Sequence, residues 1–254
     1  MKILNQESER SITLKLQGMH KSFGGVVAAD DINLEIYKGE TFGLIGPNGA
    51  GKTTLLNLIM GIYAPDKGTT ILNGKNITRY STHKRAKLGI ARTFQHPRLL
   101  NRCDIRTNMM MGIDLAVKKG ISKDKSDEEI LELLTYVDMN HIDLNDPITK
   151  LSYGQQKILE IIRSLLTDPE VLLLDEPAAG LNRRELDYVA TLIQVATARG
   201  QAVLLIEHAM DLVMSVCDRI TVLNFGHQIA TGTPKEIQSD EGVVRAYLGG
   251  VVHA

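Results

Sequence analysis

Residues Gly46-Pro47-Asn48-Gly49-Ala50-Gly51-Lys52-Thr53 match G-x-x-x-x-G-K-[ST] at every fixed position. The run stands between a short β-like segment, Thr41 to Ile45, and a helix-like one from about Thr53 to Met60 that Gly61 can close. Strand, glycine-rich loop and helix in that order commit the chain to an α/β core in which the loop wraps an anion. The glycines let backbone N–H groups point inward at phosphate oxygens, and the helix start adds positive potential. Lys52 supplies a cation for the β- and γ-phosphates, the Thr53 hydroxyl can ligate Mg²⁺, and Thr54 completes the phosphate-facing turn. A nucleotide is therefore expected. The loop does not say which nucleotide-using class this is, because kinases, GTPases, motors and transport ATPases share it.

A second element narrows the choice. Val171-Leu172-Leu173-Leu174 is apolar throughout, as a strand covered on both faces should be, and it runs into Asp175-Glu176. Asp175 at a strand's carboxyl end suits a place beside Mg²⁺, through water, and Glu176 suits polarising an attacking water. Around these, Ile12, Leu14 and Leu16, and then Ile32, Leu34 and Ile36, alternate with polar residues as strands do, with turns at Gly24-Gly25 and Lys38-Gly39. Thr69 to Leu72 followed by Asn73-Gly74 reads as a hairpin, and Gly89 to Phe94 as a strand. From about 97 to 150 the β pattern fades, and Ile130, Leu131, Leu133, Leu134 and Val137 suit an amphipathic helix. The charged stretch Lys118 to Glu129 reads as a solvated loop and helix start. Helices are expected from Gly154 to Thr167 and, capped by Asn182, as far as Arg199, with strands at Val203 to Ile206 and Arg219 to Asn224.

Composition excludes more than it selects. With 29 basic and 30 acidic residues the net charge is −1, so nothing draws the chain in bulk to nucleic acid or anionic lipid, and nucleic acid is not an expected partner. No apolar run approaches the roughly 18 to 20 residues of a membrane helix, and Met1 to Arg10 lacks the apolar segment of a secretory signal. Cys103 and Cys217 have no metal-ligand spacing and read as two buried thiols. A cytoplasmic location is expected.

Leu151-Ser152-Tyr153-Gly154-Gln155-Gln156 by itself reads as a capped helix start whose N–H groups make an anion site. Placed between the phosphate loop and the carboxylate pair, it resembles the signature of the ABC ATPases, usually written LSGGQ, with Tyr153 for the first glycine. Four further segments resemble that family's motifs. Gln95, in Ala91-Arg92-Thr93-Phe94-Gln95, resembles the Q-loop glutamine that touches Mg²⁺ or the water. Ala179-Gly180-Leu181-Asn182 resembles the D-loop, with Asn182 where Asp is common. His208, in Leu205-Ile206-Glu207-His208, resembles the switch histidine, and Phe23 the aromatic that stacks on adenine. Taken singly, Gln95 reads equally as a surface amide, His208 as a helix-start histidine and Phe23 as a core aromatic.

The resemblance implies an α/β fold, a P-loop NTPase core of ABC-ATPase type with an N-terminal antiparallel β subdomain and a helical subdomain. Residues of about 1–95 and 151–254 would form the core and about 96–150 the helical part. It implies ATP and Mg²⁺, and catalysis by Glu176, His208, Gln95 and Lys52. The nucleotide would contact Phe23, Gly46 to Thr54 and Asp175, with Thr53, Gln95 and Asp175 near the metal. Ser152 and Gly154 would serve the partner's site, so the active unit would be a homo- or heterodimer of like ATPases. Gly89 to His96, Asp175 to Asn182 and Arg245-Ala246-Tyr247-Leu248-Gly249 resemble in particular the ATPases of bacterial branched-chain amino acid importers. That kinship implies two membrane permease subunits, a periplasmic binding protein met only indirectly, and attachment to the inner face of the plasma membrane. Urea, amides or lipopolysaccharide as cargo, or a soluble non-transport ABC ATPase, are the alternatives, since no residue of such a chain touches the cargo.

Overall fold

In the computed structural model, which describes residues 11–120 and 126–245, the first alternating segments form a long antiparallel pair, β1 (Ile12–Phe23) and β2 (Val26–Tyr37). Leu14 faces Ile36 and Leu16 faces Leu34, so one face of the pair is apolar. Next come β3 (Thr41–Ile45), α1 (Lys52–Met60), the hairpin β4 (Lys67–Leu72) and β5 (Lys75–Asn76), α2 (Thr82–Lys87) and β6 (Ile90–Arg92). The helical stretch holds α3 (Ile105–Lys118) and α4 (Ser126–Thr135), where one amphipathic helix was expected, followed by α5 (Tyr153–Leu166). Then follow β7 (Val171–Asp175), α6 (Arg183–Ala198), β8 (Ala202–Ile206), α7 (Met210–Val216), β9 (Arg219–Asn224), β10 (His227–Gly232), α8 (Pro234–Ser239) and a last turn, α9 (Glu241–Val243). The expectations on residues 1–10, on 121–125 and on the C-terminal run beyond Arg245 lie outside the described residues.

Two sheets result. One is antiparallel, in the order β2-β1-β4-β5; the other runs β10-β9-β3-β8-β7-β6 and is parallel except for β10. Within the parallel strands consecutive residues enter opposite cores. Val171 and Leu173 join β1, β2 and α1 on one side, while Leu172 and Leu174 join α3, α5 and α6 on the other. That two-sided burial is why β7 and β8 read as unbroken apolar runs. β6 is shorter than the expected Gly89 to Phe94, because beyond Arg92 only Thr93 still bonds to β7, through Leu173. Cys217 is buried, but Cys103 is only half-buried, which corrects the expectation of two buried thiols.

Candidate functional site

Four of the five parallel strands hand on a chemically distinctive residue at their carboxyl ends. β3 ends at Ile45 before the glycine-rich loop, β8 at Ile206 before Glu207-His208, and β7 at Asp175 before Glu176. β6 leads through Thr93 and Phe94 to Gln95. Register aligns these ends, with Leu44 and Asp175 both opposite Ile206. β3 and β7 flank β8, so the loop and the carboxylates stand about two strand spacings apart, roughly 10 Å, which leaves room for a phosphate and a metal between them.

The loop is built around glycine. A side chain on Gly46 would meet the Leu223 carbonyl at 2.2 Å, and one on Gly51 would meet the Ala28 carbonyl at 2.1 Å. The Gly226 amide donates to Ala50 and the Asp30 amide to Gly226, so the β9–β10 turn and β2 brace the loop from outside. No side chain caps α1, whose first turn carries Lys52, Thr53 and Thr54. Its N–H groups are thus a natural anion seat. Lys52 is 6% exposed, and its ammonium donates to the Gly46 (2.6 Å) and Pro47 (3.0 Å) carbonyls. Burial pulls its pKa down, and the charges of Glu176 and then Asp175 act in the opposite direction.

Glu176 holds a left-handed backbone, φ 48, which costs a non-glycine residue about 1 kcal/mol. Its amide donates to Ile206 and its carbonyl accepts from Lys157 Nζ at 2.8 Å. Gln95 Nε2 donates to its Oε2 at 2.8 Å, and His208 Nε2 lies 3.4 Å from its Oε1. Asp175 is held by Arg92 at 2.7 Å. Gln95, Asp175, Glu176, His208 and Lys52 are therefore gathered at one end of the sheet.

Other expected residues stand further out. Ser152 caps α5 and shares a capping box with Gln155. Gly154 is buried against the Glu185 carboxylate, which a Cβ there would displace. Between them, the Tyr153 hydroxyl donates to the Gln95 carbonyl at 3.3 Å, tying this helix start to the Gln95 loop. Phe23 is 42% exposed at the tip of β1, in edge-to-face contact with Tyr63 at 5.2 Å.

Several site residues escaped the sequence reading. Lys157 also donates to the carbonyls of Pro177 and Ala179, and Glu207 accepts from the amides of Ala178, His208 and Ala209. Together they fix the segment after Glu176. Glu160 receives the amides of Phe94 and Arg98 and so anchors the Gln95 loop to α5. The signal for Lys157 and Glu160 was present: charged residues inside the apolar run Ile158 to Ile162 and at its edge have to be paired.

A hard-oxygen set of Thr53 hydroxyl, Gln95 amide and Asp175 carboxylate suits Mg²⁺. Among the described residues no group of three or more His, Cys, Asp and Glu could hold a metal alone. Mg²⁺, which characteristically rides on substrate phosphates with one or two protein ligands, fits that sparse provision.

Residues 29–179, which include both the loop and the carboxylate pair, match the family model described as ABC transporter. The chain belongs to the ABC transporter family. It is an ATPase of that family, whose hydrolysis is coupled to transport. A second model, Branched-chain amino acid ATP-binding cassette transporter, matches residues 227–253 of this ABC chain. The chain is 39% identical over 250 residues to the high-affinity branched-chain amino acid transport ATP-binding protein LivG of Escherichia coli K12, spanning 93% of itself and 97% of LivG. It is 34% identical over 238 residues to the lipopolysaccharide export system ATP-binding protein LptB of the same organism, spanning 93% and 97%. Its fold matches the crystal structure of the ADP conformation of MJ1267, an ATP-binding cassette of an ABC transporter. There the TM-score is 0.81 and the identity 31%, over 94% of this chain and 99% of that one.

Proposed function

We propose that this chain is one of two ATPase subunits of a branched-chain amino acid importer, with Glu176 the residue that orients the attacking water. The observation that carries the catalytic part is the placement of Glu176: a strained residue beyond β7, spanned by Gln95 and His208, within the field of Lys52. In this reading the loop amides and Lys52 bind the triphosphate, Glu176 accepts the water's proton, and His208 and Gln95 sense the γ-phosphate. Thr53, Gln95 and Asp175 are the residues that would hold Mg²⁺, Asp175 through water. When bound, the metal would supply positive charge against the charge that develops on the transferring phosphate.

Ser152 and the N–H groups of the α5 start serve a second ATPase, like or identical, and receive its loop in return. The ATP-bound pair closes and hydrolysis parts it. Two permease subunits complete the importer, and a coupling helix of one docks beside Gln95 on a surface that includes residues 94–101; there Phe94, Met111, Leu115 and Arg163 line an open cavity of about 260 Å³. Among the described residues no helix is long and apolar enough to cross a membrane, in keeping with attachment through the permeases. A periplasmic binding protein delivers the cargo.

Glu176→Gln is expected to bind ATP and to accumulate as an ATP-dependent dimer in size-exclusion chromatography, with turnover reduced by at least about a hundredfold. Rapid steady-state hydrolysis by that variant removes Glu176 from the role. For cargo, labelled leucine uptake in vesicles made with the copurifying permeases should require ATP inside. Copurification with lipopolysaccharide-export components and no leucine uptake would favour the LptB-like reading that the second relative supports.

A further inference from the structure

A buried arginine is costly even at the end of an edge strand, because a guanidinium leaves water only at a large desolvation penalty. Arg92, the last residue of β6, makes that sacrifice: its side chain is 6% exposed and the carboxylate facing it, Asp175, is 11% exposed. The planar fork is divided between two elements of the site. One amino group donates to Asn57 Oδ1 on α1 at 2.7 Å and the other to Asp175 Oδ2 on β7 at 2.7 Å. The guanidinium carbon lies 5.1 Å from the Phe94 ring centre, next to Gln95. Nε is buried without a hydrogen-bond partner. The two amino groups thus tie α1 to β7 through one rigid fork.

We propose that Arg92 is a positioning residue for the metal-side carboxylate. It occupies Asp175 Oδ2, so that Oδ1, to which no described residue donates, is the oxygen presented to hydrated Mg²⁺. By spanning to Asn57 it fixes that oxygen relative to the helix whose first turn carries Thr53. The cation has two opposed effects on a metal. Its charge competes for the carboxylate, and its geometry removes the carboxylate's rotational freedom. With Oδ2 engaged by Arg92 and Oδ1 left open, the geometric effect governs.

The proposal rests on the reading of Asp175 as the metal-side carboxylate, which a separate variant tests. Binding of a non-hydrolysable ATP analogue to the full chain is measured with Mg²⁺ and with EDTA, beside thermal unfolding. Arg92→Met should reduce the gain in affinity that Mg²⁺ brings by about tenfold or more while leaving the EDTA affinity within about twofold. Arg92→Lys, a point donor that cannot span Asn57 and Asp175 together, should show a smaller loss of the same kind. Asn57→Ala keeps the Arg92–Asp175 pair but frees its far end, and it should also lose part of the Mg²⁺ gain. If Arg92→Met does not fold, these two carry the test. Equal loss in both conditions, or a stronger Mg²⁺ gain on removing the cation, overturns the proposal. A full Mg²⁺ gain in Asp175→Asn would instead remove the reading of Asp175.

Discussion

Phe225 is the clearest case of a residue at odds with its own backbone. It is 78% exposed and sits at φ 45 beside Gly226 at φ 79, the two central positions of the β9–β10 turn. Both being left-handed makes a type I′ turn, where Asn-Gly is the favoured pair. Phe225→Asn should raise stability by about 1 kcal/mol, read as a melting shift of about 3 °C. Burial acts on Glu160 in a different way. It pushes the carboxyl's pKa above its ordinary value of 4.5, against the amides of Arg98 and Phe94 and the nearby cations. The folded state then holds this proton more tightly than the unfolded one, so stability is fully present at low pH and is lost as pH rises through the folded pKa. Glu160→Gln removes the ionisation. The melting temperature of the parent minus that of the variant should therefore be greater at about pH 5 than at about pH 7. For Lys52, whose ammonium already rests on loop carbonyls, Lys52→Ala should weaken ATP binding by at least about tenfold in a titration.

Elements were legible where their signals are local. Ser152-x-x-Gln155 and Asn182-x-x-Glu185 both form complete capping boxes, and Gly61 ends α1 in the left-handed conformation expected of it. Short elements went unread even where a cap was present, as at Thr233 before α8. α2 has no apolar stripe; its buried member is Arg85, whose guanidinium donates to the carbonyls of Leu58 and Ile59 and so closes α1 from another part of the chain. β10 never buries a residue fully and is a strand because β9 pairs with it. The contact between the α5 and α6 starts was equally hidden. A Cβ on Gly154 would fall 2.0 Å from Glu185 Oε1, the atom's own residue being half of the second capping box. Gly154→Ala gains about 1 kcal/mol of helix propensity and loses about as much by displacing that cap. In the parent its net effect should be near zero, whereas in Glu185→Ala it should stabilise by about 1 kcal/mol. A double-mutant cycle in urea measures the difference.

At the scale of the molecule, one parallel sheet separates two cores, and the alternation of β7 and β8 feeds both. Ile206 belongs to the core shared with β1 and α1, and Ile193 to the one around α5 and α6. Ile206→Val and Ile193→Val should each cost about 1 kcal/mol, and the double variant should equal their sum within about 0.5 kcal/mol. Their common sheet also explains what could be known beforehand. The glycine-rich loop, the apolar strands, the caps and the order of the motifs were decided by the sequence, because each depends on backbone geometry over a few neighbouring residues. The convergence of Arg92, Asn57 and Asp175, the bracing of Glu176 by Lys157, and the burial of Gly154 were decided by the tertiary structure alone. Strand order places β8 between β3 and β7, and residues far apart in the chain become neighbours only when that order closes.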